Sequence, residues 1–161
     1  MPDVRLARPD DAPAILALHV AAIRARAPDA YDERQVAAWA RKDGGPERYP
    51  VEEDGHFLVV AERDGEVAAY GELVPGQAEV RAVYVHPAAH GRGVGSAVLA
   101  RLEGEARRRG LDELVCWSSL NATGFYDRAG YRRVAERTIR KELDGRPVAF
   151  PVVEMRKSLD R

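Results

Sequence analysis

The chain has 161 residues with 25 basic and 26 acidic side chains, a formal net charge of −1, and 45% hydrophobic residues. Interspersed charges of near-equal number exclude a polyelectrolyte surface, so nucleic acid is not an expected partner and a small molecule is. The single Cys116 excludes an internal disulfide and a multi-cysteine metal site, no apolar run approaches membrane length, and the opening Met-Pro-Asp-Val is not a basic-then-apolar leader; together these predict one cytoplasmic domain over 1–161.

Asp3 to Arg8 alternates apolar and polar residues as a short strand does. Asp10 or Asp11 ahead of Pro13 marks a helix start, and Ile15, Leu18, Ala22 and Ile23 carry the helical period to about Arg24, before Pro28 and Asp29. A second helix is expected from Asp32, its cap, to Arg41, stopped by Gly44, Gly45 and Pro46 and packed as a flap over one end of the domain. From His56 the period changes to two. Two β-rich runs meet at Asp64-Gly65, a hairpin signal, and Ala78 to His86 continues an antiparallel meander. Val94, Val98, Leu102 and Ala106 return to helical spacing, closed by Gly110 after the basic Arg107, Arg108 and Arg109, which suit a helix C-terminus. Leu114 to Trp117 is continuously apolar, like a strand buried on both faces and parallel to its neighbour across the crossover. A short helix over Asn121 to Arg128, ended by Gly130, and two runs, Tyr131 to Leu143 and Val148 to Arg156, meeting at Asp144-Gly145, complete an α+β domain with a mixed sheet.

The chemistry concentrates between Val80 and Ser96, where a strand stops at Pro87 and a loop with Gly91, Gly93 and Gly95 opens a helix. Glycines at alternate positions let a ligand reach the backbone, and the helix start leaves amide N–H groups unpaired, so the loop suits phosphate. A dinucleotide fingerprint fails because Ser96 stands where its third glycine is required, and a Walker loop fails because the loop has no lysine.

The order strand, Pro87, glycine loop, helix, buried strand, then Asn121-Ala-Thr-Gly-Phe-Tyr-Asp-Arg-Ala-Gly-Tyr131, resembles the GNAT superfamily of acetyl-CoA-dependent N-acetyltransferases, whose signature is Arg/Gln-x-x-Gly-x-Gly/Ala. The resemblance spans about residues 3 to 157 in element order and is sharp between Glu79 and Tyr131. Counting from Pro87, the signature reads His90-x-x-Gly93-x-Gly95, with histidine in place of the usual Arg or Gln; a literal match, Arg92-x-x-Gly95-x-Ala97, lies two residues on. The resemblance implies a mostly antiparallel sheet of about seven strands flanked by helices, with a splayed central strand pair admitting the pantetheine arm. It implies that Val83, Tyr84 and Val85, within a lining run from Ala82, contact that arm. It further implies that His90, Gly91, Arg92, Gly93, Val94, Gly95 and Ser96 hold the pyrophosphate.

Acetyl transfer to an amine needs a base for the ammonium, a stabilised oxyanion and an acid for the thiolate. By the same resemblance Glu79 is the base, directly or through water, Tyr126 is the acid, and an N–H near Val85 meets the oxyanion. Glu72 on the adjacent strand and His86 at the strand end are further candidate bases. Asn121 is open to two roles, binding pantetheine or capping its helix. Cys116 reads as inert packing, His19 and His56 lack a second ligand at metal spacing, so no metal is expected, and Trp39 and Trp117 are placed in core or flap packing or at an acceptor pocket. Asp29, Asp32 and Glu33 are candidates for attracting a cationic amine. The expected protein is an acyltransferase acting on a small amine, monomeric or homodimeric. A silent acyl-CoA-binding regulator and an enzyme acting on protein amino groups are the alternatives.

Overall fold

The computed structural model describes residues 2–159. Seven strands form one sheet: β1 (Asp3–Leu6), β2 (Phe57–Arg63), β3 (Glu66–Val74), β4 (Glu79–Val85), β5 (Glu113–Ser119), β6 (Arg132–Leu143) and β7 (Arg146–Ser158), in the spatial order β1-β2-β3-β4-β5-β7-β6. Every neighbouring pair is antiparallel except β4 and β5. The helices are α1 (Ala12–Arg26), α2 (Glu33–Ala40), α3 (Val94–Arg108) and α4 (Thr123–Arg128).

The β2–β3 hairpin turns on Asp64 and Gly65, both at positive φ, as the Asp-Gly pair requires. Its strands are buried on both faces: Val59, Ala61, Ala69 and Leu73 face α3, while Leu58, Val60 and Tyr70 face α1. Gly71 sits beneath α3 for want of room. A Cβ there would lie 2.5 Å from Val98 Cγ1 and 3.2 Å from the Ala82 carbonyl oxygen. Tyr31, between α1 and α2, donates to the Pro151 carbonyl at 2.6 Å and accepts from the Leu120 amide at 3.0 Å. It thereby ties the α1–α2 corner to β7 and to the end of β5.

Three expectations need correction. The first helix runs to Arg26, because Pro28 is accommodated in a following 3-10 turn over Ala27–Asp29. The short helix begins at Thr123, with Asn121 in a separate 3-10 turn, so Asn121 does not cap it. β5 is longer than the apolar run and is not buried on both faces: Trp117 is 45% exposed, since one edge of the strand pairs with β7 throughout while the other leaves β4 after two residues.

Candidate active site

β4 and β5 pair only at Glu79 with Val115 and Val80 with Cys116, then diverge. A register slip against β3 helps set the geometry of this split. Leu73 faces Val80 but Glu72 faces Ala82, so Arg81 is the extra residue of a β-bulge. The bulge returns Ala82 and Tyr84 to the α1 face, together with Glu79, while Val80, Val83 and Val85 face α3. Beyond Val80 the β5-facing edge of β4 has no strand partner, and its backbone groups are available to an extended ligand.

A cavity of about 300 Å³ fills the split. Its walls are Val80 through Val85 on one side, Cys116 through Ser119 on the other, and Phe125 and Tyr126 of α4. Val83, Tyr84, Val85, His90, Gly95 and Asn121 line it, as does Trp117. Gly91, Arg92, Gly93, Val94 and Ser96 lie in the loop and first helical turn between and beside the lining residues His90 and Gly95, outside the wall itself.

Gly91 and Gly93 take positive φ of 79° and 75° with open space where a Cβ would be, so conformation and not crowding calls for glycine there. Gly95 answers to crowding instead: a Cβ would approach Val85 Cγ2 at 3.2 Å and Phe125 Cε1 at 3.3 Å. The first amide of α3 with a backbone acceptor is that of Ala97, bonded to the Gly93 carbonyl at 3.1 Å. The amides of Gly91 to Ser96 donate to no backbone acceptor among the described residues, leaving a run of N–H groups at the positive end of a 15-residue helix.

Tyr126 is 6% exposed, and its hydroxyl has no hydrogen-bond partner among the described residues although the side chain lines the cavity. Burial holds this hydroxyl well above the usual phenol range, so it stays protonated. Burial likewise pushes the Cys116 thiol up to about 12, with the Glu79 carboxylate adding to the shift, and the thiol stays neutral.

A second cavity, of about 640 Å³, lies on the α1 face. Trp39, Arg81, Ala82 and Tyr84 line both cavities and form the wall between them. At one side stands a carboxylate–imidazole pair, His56 Nδ1 at 2.7 Å from Glu72 Oε2, with Glu72 buried and His56 partly exposed. Inside it His19 Nδ1 meets the Tyr49 and Tyr70 hydroxyls at 2.9 and 3.0 Å, and its ring lies 4.2 Å from that of Tyr84. Burial, reinforced by the positive charges of Lys42, Arg48 and Lys141, drives His19 down to about 2, so it is neutral and serves as an anchor for the tyrosines.

Glu79 is buried, accepts a hydrogen bond from Arg81 at 2.9 Å, and lines neither cavity. His86 caps the turn after β4 by accepting from the Ala88 amide at 3.0 Å and also lies outside both linings. Asp32 caps α2 through the Gln35 amide, and Asp29, Asp32 and Glu33 face neither cavity. Arg108 and Arg109 of the arginine run pair with Glu105. Sequence reasoning weighed His56 only as a metal ligand and assigned no site role to Tyr49, Tyr70, Lys42, Arg48 or Lys141. Counting outward from Asp64-Gly65 brings His56 close to Glu72 across the hairpin, a usable signal; nothing in the sequence announces that the three cations converge.

The family described as acetyltransferase (GNAT) domain matches residues 28–157, and the chain belongs to that family: it is an acyltransferase with a mixed α+β fold. Among solved structures it is similar to a GCN5-related N-acetyltransferase from Rhodopseudomonas palustris, at 30% identity over 99% of this chain and 96% of that one, with a TM-score of 0.88. It is also similar to YncA of Salmonella typhimurium, solved with its cofactor acetyl-CoA, at 26% identity over 99% and 95% of the two chains and a TM-score of 0.67. The PaiA N-acetyltransferase of Thermoplasma acidophilum, in complex with coenzyme A, shares the fold at 18% identity over 98% and 99% of the chains, with a TM-score of 0.74.

Proposed function

We propose that the chain transfers an acetyl group from acetyl-CoA, seated in the split between β4 and β5, to a primary amine held in the second cavity. The observation that carries this reading is the shared wall: two cavities on opposite sides of Ala82 and Tyr84 meet where the strands part. The amides of Gly91 to Ser96 and the α3 dipole bind the diphosphate, Arg92 adds positive charge from an exposed position, and the unpaired edge of β4 hydrogen-bonds the pantetheine arm. Asn121, whose side chain has no hydrogen-bond partner among the described residues, reaches the same arm from the β5 side.

For the base, the geometry favours His56 oriented by Glu72 over Glu79. Imidazole suits proton transfer at neutral pH, the carboxylate fixes its Nδ1, and Nε2 is left for the amine. Glu79 acts in the alternative route only through water, because it lines neither cavity and is held by Arg81. With the ammonium proton removed, the nitrogen attacks the thioester carbonyl carbon and the oxyanion meets N–H groups on the free edge of β4 towards Val85; the carbonyl re-forms as the C–S bond breaks, Tyr126 O–H protonates the leaving thiolate, and the second proton shed by the nitrogen restores the Tyr126 hydroxyl through water.

The test is thiol release from acetyl-CoA against a panel of primary amines, with His56→Gln and Glu79→Gln compared. His56→Gln is expected to lower kcat about 100-fold, as loss of a general base does, and Glu79→Gln by less. The reverse ranking would return the base to Glu79. Tight CoA binding with no turnover on any amine would make the chain an acyl-CoA-binding regulator.

A further inference from the structure

The second cavity is electrically lopsided. Besides the Glu72–His56 pair it is lined by Lys42 from the segment after α2, Arg48 from the following 3-10 turn, and Lys141 from β6. Two adjoining segments and the distant β6 thus bring positive charge together. Among the described residues none of the three has a carboxylate partner, whereas Lys157, the remaining lysine, is paired with Glu103 at 3.1 Å. Glu47 and Glu53 also line the cavity, exposed as Arg48 is while the two lysines are half-buried, and make no ion pair with these cations; Arg81 is committed to Glu79.

The lysines bear a cost for this arrangement. Burial, and after it the charges of Lys141 and Arg48, pushes Lys42 down to about 7, and Lys141 is lowered by burial and Arg48. Like charges gathered in a partly desolvated cavity with no carboxylate in ion-pair contact are relieved by an anion that enters with the ligand.

Taking this cavity as the acceptor site, we propose that the acceptor is a small zwitterion: a primary amine that also carries a compact oxyanion, a carboxylate or a phosphorus oxyacid, held by Lys42, Arg48 and Lys141 while the amine faces Glu72 and His56. Its volume of about 640 Å³ suits such a molecule. A polyamine would set its second cation against these cations.

The experiment compares matched acceptors in the thiol-release assay: L-leucine against 3-methylbutylamine, 2-aminoethylphosphonate against ethylamine, and spermidine as the polycation. At least one oxyanion-bearing member is expected to exceed its partner lacking the oxyanion about 10-fold or more in kcat/KM, the value of one well-placed charge contact, and which pair responds identifies the oxyanion. In the Lys42→Met/Lys141→Met double variant that preference is expected to fall below threefold, through KM, with circular dichroism and acetyl-CoA affinity as controls on folding; Lys42→Arg is expected to retain it. Spermidine or the simple alkylamines performing as well as the oxyanion-bearing acceptors, or a preference that survives the double variant, would overturn the proposal. Calorimetry of the CoA-loaded protein with 2-aminoethylphosphonate, L-leucine and ethylamine separates this inference from the reading beneath it. Binding of an anionic probe that the double variant abolishes, without turnover, keeps the anion site and removes acetyl transfer; turnover without anion preference keeps the transferase and removes the anion site.

Discussion

Replacing Tyr126 by Phe removes one oxygen and very little else. The ring keeps its edge contacts with Phe125 and Tyr131, at centroid separations of 5.1 and 5.4 Å. The hydroxyl has no partner among the described residues, so no buried group is orphaned, and a stability change within about 1 kcal/mol is expected, below what stranding a buried partner costs. What is lost is the proton donor to the departing thiolate. General acids contribute about 10²- to 10⁴-fold, and the lower bound of 100-fold corresponds to about 2.7 kcal/mol in the barrier. The assay is initial-rate thiol release at saturating acetyl-CoA, with calorimetry to confirm that acetyl-CoA affinity changes by less than about threefold, since only a transition-state contact is removed. Because burial raises the Tyr126 hydroxyl well above its ordinary value, it stays protonated throughout the neutral range, and the wild-type profile is expected to show no loss of activity from its ionisation below pH 10. A variant with kcat within about threefold of wild type would show that another group or water supplies the proton.

Other substitutions probe the scaffold and the loop. Gly93→Asp combines a left-handed backbone position with a carboxylate facing the proposed diphosphate; acetyl-CoA affinity by calorimetry is expected to drop about 100-fold or more, as a like charge at short range requires. Gly71→Ala drives a methyl against Val98 and the Ala82 carbonyl and is expected to cost about 1–3 kcal/mol by overpacking, read as a lower urea midpoint and partly rescued by adding Val98→Ala. Hydrogen bonds from Arg108 and Arg109 lower Glu105 to about 2 against the burial that opposes them. Its contribution is therefore present above about pH 4.5 and lost as pH falls towards 2, and Glu105→Gln is expected to remove about 1 kcal/mol at pH 7, screened by its exposed partners, and almost nothing at pH 2.

The hairpin, the glycine loop and α3 were legible because each is written locally: Asp64-Gly65 needs positive φ, Gly93 caps a helix, and Val94, Val98, Leu102 and Ala106 lie on one face. The resemblance to GNAT proteins added the split between β4 and β5, which no periodicity encodes, and Tyr126 duly lines it. Glu79 was placed by strand position, but a β-bulge at Arg81 and the ion pair that Arg81 makes decide what a carboxylate there can reach, and neither is visible in a string of residues. Trp117 reads as core or flap packing or as part of an acceptor pocket; it is exposed and lines the first cavity, where β5 has lost its β4 neighbour. The second cavity depends on His19, Tyr49, Glu72 and Lys141 meeting from four distant segments, a product of tertiary packing alone.

Amide chemical shifts of the nitrogen-15-labelled protein, followed as coenzyme A and then pantetheine are titrated in separately, test the diphosphate cradle most directly. The resonances of Gly91 through Ser96 are expected to move with coenzyme A and to stay nearly still with pantetheine, which lacks the diphosphate. Equal shifts with both ligands, or a coenzyme A response centred elsewhere while 91–96 remain unchanged, would contradict the account.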